Sequence, residues 1–178
     1  MAVIAVVVWV RTATAYFYFR RDYMKNKSIE KLFNLVYTDS MTGVKNRAAF
    51  DELRKELNKY GNSLEKICAI SVIFEDYDMV SRVFGNATCD DAIREIACCL
   101  TEVLGEKADI YRTAKNEFMC IARKSLFGEI IKVGNALRKI KEEKIYPFDP
   151  IVSCSKFHKK LHKNFDDFLI YCDERATH

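Results

Sequence analysis

The chain has 178 residues, of which 49% are hydrophobic and 30% charged, with only two prolines. That is enough for one globular core plus an appendage, and it leaves no room for long proline-rich linkers. The net charge of +4 comes from basic residues spread along the chain, which reads as solvated surface and argues against a nucleic-acid groove.

Seven cysteines (Cys68, Cys89, Cys98, Cys99, Cys120, Cys154 and Cys172) form an odd set with no C-x-x-C pair. Most sit inside apolar runs, where a thiol behaves as a small core residue, and such usage favours a reducing cytosol. The three histidines stand at no zinc-binding spacing from these cysteines. His158 and His162 are four apart and could share a helical face, but Lys156, Lys159, Lys160 and Lys163 around them predict an exposed basic segment.

Residues 2–10 are unbroken apolar sequence, and residues 12–19 continue it with aromatics, interrupted only by Arg11. A run of about 18 residues approaches the ~20 that a membrane-spanning helix needs. An arginine near mid-membrane costs about 2.5–3.5 kcal/mol on insertion scales, which the flanking valines, Trp9 and the phenylalanines offset. Arg20, Arg21, Lys25, Lys27 and Lys31 follow, and the positive-inside rule puts that side in the cytoplasm. A cleaved signal peptide fits less well, because the basic residues come after the apolar run and no small-x-small site is clear. A buried first strand of a soluble fold is the third option. We read residues 1–20 as a transmembrane anchor and residues 21–37 as a linker helix. Within the linker, Ser28 is the expected N-cap, with Lys31 where a capping box carries an acid, and Ile29, Leu32, Phe33 and Val36 on one side. A two-helix coiled coil would suit such a joint, although the apolar spacing is too short to establish one.

Tyr37-Thr38-Asp39-Ser40-Met41-Thr42-Gly43-Val44-Lys45-Asn46-Arg47 is a turn that opens a helix. Asp39 and Ser40 can bond nearby backbone, and Gly43 takes a positive φ cheaply. Phe50, Leu53 and Leu57 mark one face of a helix over residues 46–60, and residues 61–63 form a loop. The apolar run 67–74 predicts a strand covered on both faces, ended by Glu75-Asp76-Tyr77-Asp78. A short helical stretch leads to Phe84-Gly85-Asn86. A helix from about 90 to 104 follows, with Asp90 and Asp91 at its positive end and a stripe of Ala92, Ile93, Ile96, Ala97, Leu100 and Leu104. Residues 109–113 and 117–122 predict a hairpin around Ala114-Lys115-Asn116. Leu126, Ile130, Val133, Leu137 and Ile140 make another helix. Tyr146-Pro147-Phe148-Asp149-Pro150 breaks the chain, residues 151–155 are a strand, and residues 165–175 a last helix. Helices interleaved with strands and a central hairpin specify an α/β sandwich.

Four pieces of this order carry a family resemblance. The turn resembles the D-x-L-T-G-L-x-N-R signature that opens GGDEF domains, the diguanylate cyclase family. Residues 73–82, with Gly85 to Asp90 beyond them, resemble D-I-D-x-F-K-x-I-N-D followed by G-H-x-x-G-D. The R-Y-G-G-D-E-F hairpin is matched by Arg112-Thr113-Ala114-Lys115-Asn116-Glu117-Phe118, and the A-D of the last helix by Cys172-Asp173. The resemblance covers residues 38–178 and implies the nucleotide-cyclase α/β fold, a mainly antiparallel central sheet flanked by helices, after an N-terminal membrane and linker helix.

Active members of that family join two GTP molecules into cyclic di-GMP across a homodimer, with metal ions neutralising phosphate charge. The resemblance puts the first metal aspartate on Ile73 and the second acidic position on Asn116, and the two glycines of the turn on Ala114 and Lys115. Ser81 stands for the guanine-reading asparagine, Asp90 matches the guanine-reading aspartate, and Tyr77 lies in the same nucleotide-facing stretch. Glu117 and Phe118 are retained, although Asp90 as a helix cap and Glu117 as a polar strand residue are the simpler readings of those acids. The family's inhibitory R-x-x-D site has Gly105 and Glu106 in the region of its arginine. Its phosphate-contacting A-K-x-x-G-R segment has no counterpart before His178. Glu75 and Glu117 are the remaining metal candidates, Glu75 by sharing a strand face with Ile73 and with Lys115 supplying charge for phosphate.

The expectation is therefore a degenerate, regulatory GGDEF protein of cyclic di-GMP signalling, with no catalytic residues and no cofactor, magnesium being needed only if it is active. It would sit in the bacterial inner membrane as a single-pass protein with its domain in the cytoplasm. GTP or cyclic di-GMP are the expected ligands, and a homodimer or a heterodimer with another signalling protein the expected assembly. The alternatives are an active diguanylate cyclase with an altered metal site, and a non-catalytic fragment of a longer signalling protein with its domain end truncated.

Overall fold

The computed structural model describes residues 2–59, 61–75, 77–144 and 150–176, and of residues 2–15, 17, 19, 23, 61–63, 144, 175 and 176 the backbone only. The chain divides into two compact units, Met1–Val36 and Tyr37–His178.

The first unit is helical. Helix α1 runs unbroken over Ala2–Tyr37, because nothing in the segment, neither proline nor glycine, ends it. Ser28 is therefore inside the helix and not its cap: its hydroxyl donates to the Met24 carbonyl at 2.9 Å, one turn back. Ile29, Leu32, Phe33, Leu35 and Val36 are exposed. Among the described residues no helix is long and apolar enough to cross a membrane. Most side chains of the apolar run over residues 2–19 that suggests an anchor lie outside those described, so the membrane part of the expected fold has no support here.

The second unit begins with helix α2 (Arg47–Lys59) and strand β1 (Cys68–Phe74), then helices α3 (Tyr77–Phe84) and α4 (Asn86–Leu104). Strands β2 (Asp109–Ala114) and β3 (Glu117–Ala122) form the hairpin, followed by α5 (Phe127–Lys144), β4 (Pro150–Lys156) and α6 (Phe165–Ala176). The sheet order is β2-β3-β1-β4, and β1 pairs antiparallel with both β3 and β4. The continuous apolar run of β1 is explained by this central place. Cys68, Ile70, Val72 and Phe74 pack with the apolar stripes of α4 and α5 on one face. Ala69 faces the other layer, with Phe50 and Leu57 of α2 and Phe165 and Phe168 of α6.

The differences from expectation are local. Residues 61–63 belong to a 3-10 turn over Gly61–Lys66, which carries buried Leu64. Helix α4 starts at Asn86, because Gly85 at φ 86° already breaks the chain after α3. Asp90 consequently lies in its second turn, away from the positive end. The hairpin turn is two residues, Lys115-Asn116, since Ala114 pairs with Glu117 across a register shift after Arg112. The Tyr146-Pro147 break lies outside the described residues.

His162 also departs from its expected exposed place. It sits on a turn before α6, only 3% exposed, its Nδ1 accepting the His158 amide at 3.0 Å. Its ring packs against Phe157, Phe168 and Tyr171. Burial holds its pKa below the ordinary value, with Asp167 opposing and His158 assisting. Protons then bind the unfolded chain more readily than the folded one, so stability is complete above the unfolded pKa of about 6.5 and declines as pH falls below it. Thermal melts between pH 7.5 and 5 are expected to show this decline, and His162→Gln to flatten it. An unchanged slope in the variant would assign the effect elsewhere.

Candidate functional site

The site grows from the signature turn. The Asp39 carboxylate accepts the Thr42 amide at 3.0 Å and the Thr42 hydroxyl at 2.6 Å. Gly43, at φ 75°, turns its amide onto the Asp39 carbonyl at 2.8 Å. This conformation is open to glycine at little cost. Lys45 then lies against β2 in a parallel bridge to Tyr111: its amide donates to the Ile110 carbonyl at 3.1 Å, and its carbonyl accepts the Arg112 amide at 2.7 Å. Asn46 caps α2, its Oδ1 accepting the Ala49 amide at 3.0 Å. Its Nδ2 donates to the Thr38 carbonyl at 3.3 Å.

Two arginines fasten this turn to the hairpin. Arg112 Nη1 bonds the Asp39 carboxylate at 3.2 Å, and Nη2 donates to the Lys115 carbonyl at 3.0 Å. Arg47 pairs with Asp51 at 3.1 Å and donates to the Thr113 carbonyl at 3.3 Å. Burial raises the Asp39 pKa, but the Thr42 hydrogen bonds and the Arg112 charge outweigh it and hold the carboxyl below its usual value. Between turn and hairpin lies a cleft of about 440 Å³ lined by Asp39, Asn46, Arg47, Arg112, Thr113 and Lys115.

The hairpin turn is tied to β1 and α3 as well. Asn116 Nδ2 donates to the Phe74 carbonyl at 2.8 Å, and the Phe74 amide returns a bond to the Asn116 carbonyl at 3.0 Å. The Lys115 ammonium pairs with Asp78 and lies 5.5 Å over the Tyr77 ring. Ile73 stands directly opposite Glu117 in the sheet register. Burial pushes the Glu117 carboxyl above its ordinary pKa.

Of the positions matched to nucleotide-reading residues, Tyr77 lies beside this turn. Tyr77 opens α3, and its phenol is pushed up by burial and by the nearby Cys89 and Asp90, with Arg112 and Lys115 opposing. Ser81 lies on α3, its hydroxyl bonded to Asn86 Oδ1. Asp90 is half-buried on α4. Glu75 is not brought in with them: β1 ends at Phe74, so Glu75 lies exposed in a turn, and the strand face it was expected to share with Ile73 stops one residue short. Gly105 and Glu106 line a separate cavity of about 410 Å³, together with Leu57, Lys107, Arg123 and Lys124.

Sequence reading missed the Asp39–Arg112, Arg47–Thr113 and Lys115–Asp78 contacts. Opposite charge in motifs tens of residues apart was the signal for the first and third; the Arg47 bond goes to a backbone carbonyl and has none in the sequence. Among the described residues no three His, Cys, Asp or Glu side chains converge to hold a metal ion. Magnesium needs hard oxygen donors. Ile73 offers a hydrocarbon, Asn116 a neutral amide whose nitrogen is held by the Phe74 carbonyl, and Glu117 a single carboxyl that burial shifts upward, so these residues do not fit the ion.

A four-stranded antiparallel sheet between helical layers, with a two-residue hairpin turn held to a signature turn, defines a domain of the nucleotide-cyclase type. The family model described as "Diguanylate cyclase, GGDEF domain" matches residues 36–148, and the chain belongs to this family. Among solved structures it is similar to the diguanylate cyclase SiaD of Pseudomonas aeruginosa, solved in complex with its activator SiaC, at TM-score 0.68 and 15% identity. That likeness covers 92% of this chain and 65% of SiaD, so the chain spans just under two thirds of the relative's length. The FimX GGDEF domain of Pseudomonas aeruginosa is similar at TM-score 0.56 and 17% identity over 79% of this chain and 93% of that one. A microbial GGDEF domain described in a novel mode of interaction with cyclic di-GMP is similar at TM-score 0.64 and 14% identity, over 82% and 93% of the two chains. At such identities the shared property is the fold. No curated protein matches the sequence.

Proposed function

We propose that this chain is a regulatory GGDEF protein of cyclic di-GMP signalling that does not join GTP into the cyclic dinucleotide. The observation that carries the reading is the Ile73–Glu117 register pair beside an Asn116 amide bonded to the Phe74 carbonyl. Hydrocarbon and a neutral amide stand where the family resemblance puts the metal carboxylates. Tyr77 and Ser81 lie one turn apart on α3, and Asp90 of α4 is near enough to act on the Tyr77 phenol, which supports retained affinity for a guanine nucleotide or for cyclic di-GMP. SiaD, a protein of the same fold, has been captured with an activator, and the exposed apolar residues of α1 offer this chain a comparable means of pairing with a second copy or another signalling protein. The proposal includes a single membrane anchor within residues 1–20, a linker over residues 21–37 and a domain on the cytoplasmic side of a bacterial inner membrane.

Incubating the full chain with GTP and either magnesium or manganese is expected to yield no cyclic di-GMP above a protein-free blank. Clear product formation, lost in Glu117→Ala, would replace this reading with an active cyclase that has an altered metal site.

A further inference from the structure

A pair of thiols on the far side of the sheet from the Glu117 face has no part in the site described above. Cys68 of β1 and Cys154 of β4 point to the same layer, and their sulfur atoms lie 3.6 Å apart. Cys68 is fully buried and Cys154 half-buried. The Cys68 sulfur receives the Cys154 thiol and the Leu126 backbone amide at the start of α5, and it feels the charge of Lys156, its register partner. A hydrogen bond, a helix start and a lysine are the features that stabilise a thiolate. Together they bring Cys68 down to about 7, against the cost of burial. Cys120 lies on the same face, across Ile70 from Cys154, and is pushed up to about 12 by burial alone. Thiolate character is thus built into Cys68 and denied to Cys120.

We propose that Cys68 and Cys154 form a peroxide-sensitive dithiol site that closes to a reversible disulfide between β1 and β4. The half-buried Cys154 sulfur meets the oxidant first. Its proton passes to the Cys68 sulfur across their 3.6 Å contact, in which either sulfur can donate, and the Cys154 sulfur attacks hydrogen peroxide: an S–O bond forms, the O–O bond breaks, and the departing hydroxide takes the proton back from Cys68 to leave as water. The Cys68 thiolate then attacks the Cys154 sulfenic acid: the S–S bond forms, the S–O bond breaks, and the second hydroxide leaves as water. Two thiols are oxidised and one peroxide is reduced to two waters. The sulfurs must close from 3.6 Å to about 2.05 Å. Cys154 is opposite Ile70 and not opposite Cys68, so the bond runs diagonally. Strand β4 is at the edge of the sheet and pairs only with β1 among the described residues. An edge strand can make the small shift that a central strand could not.

The test uses the full chain treated with hydrogen peroxide, then thiol blocking, non-reducing digestion and mass spectrometry. The expected product is one peptide pair joined through Cys68 and Cys154, two hydrogens lighter than the reduced pair and separated by dithiothreitol, with Cys120 still a thiol. Cys154→Ser and Cys68→Ser are each expected to abolish it. Cys154 recovered as a sulfinic acid or an unlinked thiol, while exposed Cys98 is oxidised, would overturn the proposal. The wild-type mapping decides this alone if either variant fails to fold.

Discussion

Phe118→Ala is expected to lower the unfolding free energy by about 3–5 kcal/mol, the usual cost of deleting a buried aromatic ring. Phe118 is fully buried in β3, opposite Val72 of the central strand and Arg112 of β2. The core cluster it belongs to includes Phe74, Ile93 and Leu100, each also fully buried. Strand β3 is bonded on both edges, so its backbone cannot move in to fill the space the ring leaves. A domain of this size has about 5–15 kcal/mol in total, so the variant would stand close to unfolding. Phe118 is the last residue of the hairpin motif and Glu117 the one before it, yet the two have different duties. The phenylalanine fills the α4–α5 layer, while the glutamate lies on the opposite face. Urea unfolding followed by circular dichroism measures the loss. A change smaller than about 1 kcal/mol would mean that the ring is not part of a packed core.

The elements of the fold were readable because each carries its own periodicity. The β1 run and the α4 stripe of Ala92, Ile93, Ile96, Ala97, Leu100 and Leu104 are patterns that burial alone imposes, and all of these α4 residues are buried. Boundaries were less readable where a single backbone conformation decides them. Gly85 moves the start of α4 ahead of Asp90, and the register shift after Arg112 draws Ala114 into the strand. His162 was hidden for a different reason. Lysines on either side marked an exposed segment, but a single turn can point one ring into the aromatic layer while its neighbours stay in water. The candidate site was legible as positions and not as contacts. Ile73, Asn116 and Lys115 could be named from the motif, whereas the Asn116–Phe74 bonds and the Lys115–Asp78 pair depend on the pairing of β3 with β1, which sets Glu117 opposite Ile73 and the hairpin turn next to the end of β1.

Asp39→Ala is expected to cost about 2–3 kcal/mol and to loosen the signature turn from the hairpin. The estimate takes the 3–5 kcal/mol of a broken buried ion pair and reduces it for partial exposure: the Arg112 and Asp39 side chains are 13% and 22% exposed. Asp39 does two jobs, folding its own turn through Thr42 and holding the hairpin through Arg112. Arg112→Ala removes only the second, together with the bond to the Lys115 carbonyl. The double variant should therefore cost less than the sum of the singles, with a coupling of about 1–2 kcal/mol. The acid side of the stability profile gives an independent reading. The folded Asp39 pKa lies below its ordinary value, so its contribution is present above the unfolded pKa of about 3.9 and disappears as pH falls through the folded one. Asp39→Ala should consequently lose more stability at pH 7 than at pH 2. Coupling below about 0.3 kcal/mol, or equal losses at the two pH values, would separate the turn from the hairpin. If the coupling is found, the Asp39–Arg112 pair is the route by which a displacement of the signature turn reaches Lys115 and Asn116. Such a route runs through side chains of the turn and the hairpin alone and needs no metal ion at the hairpin.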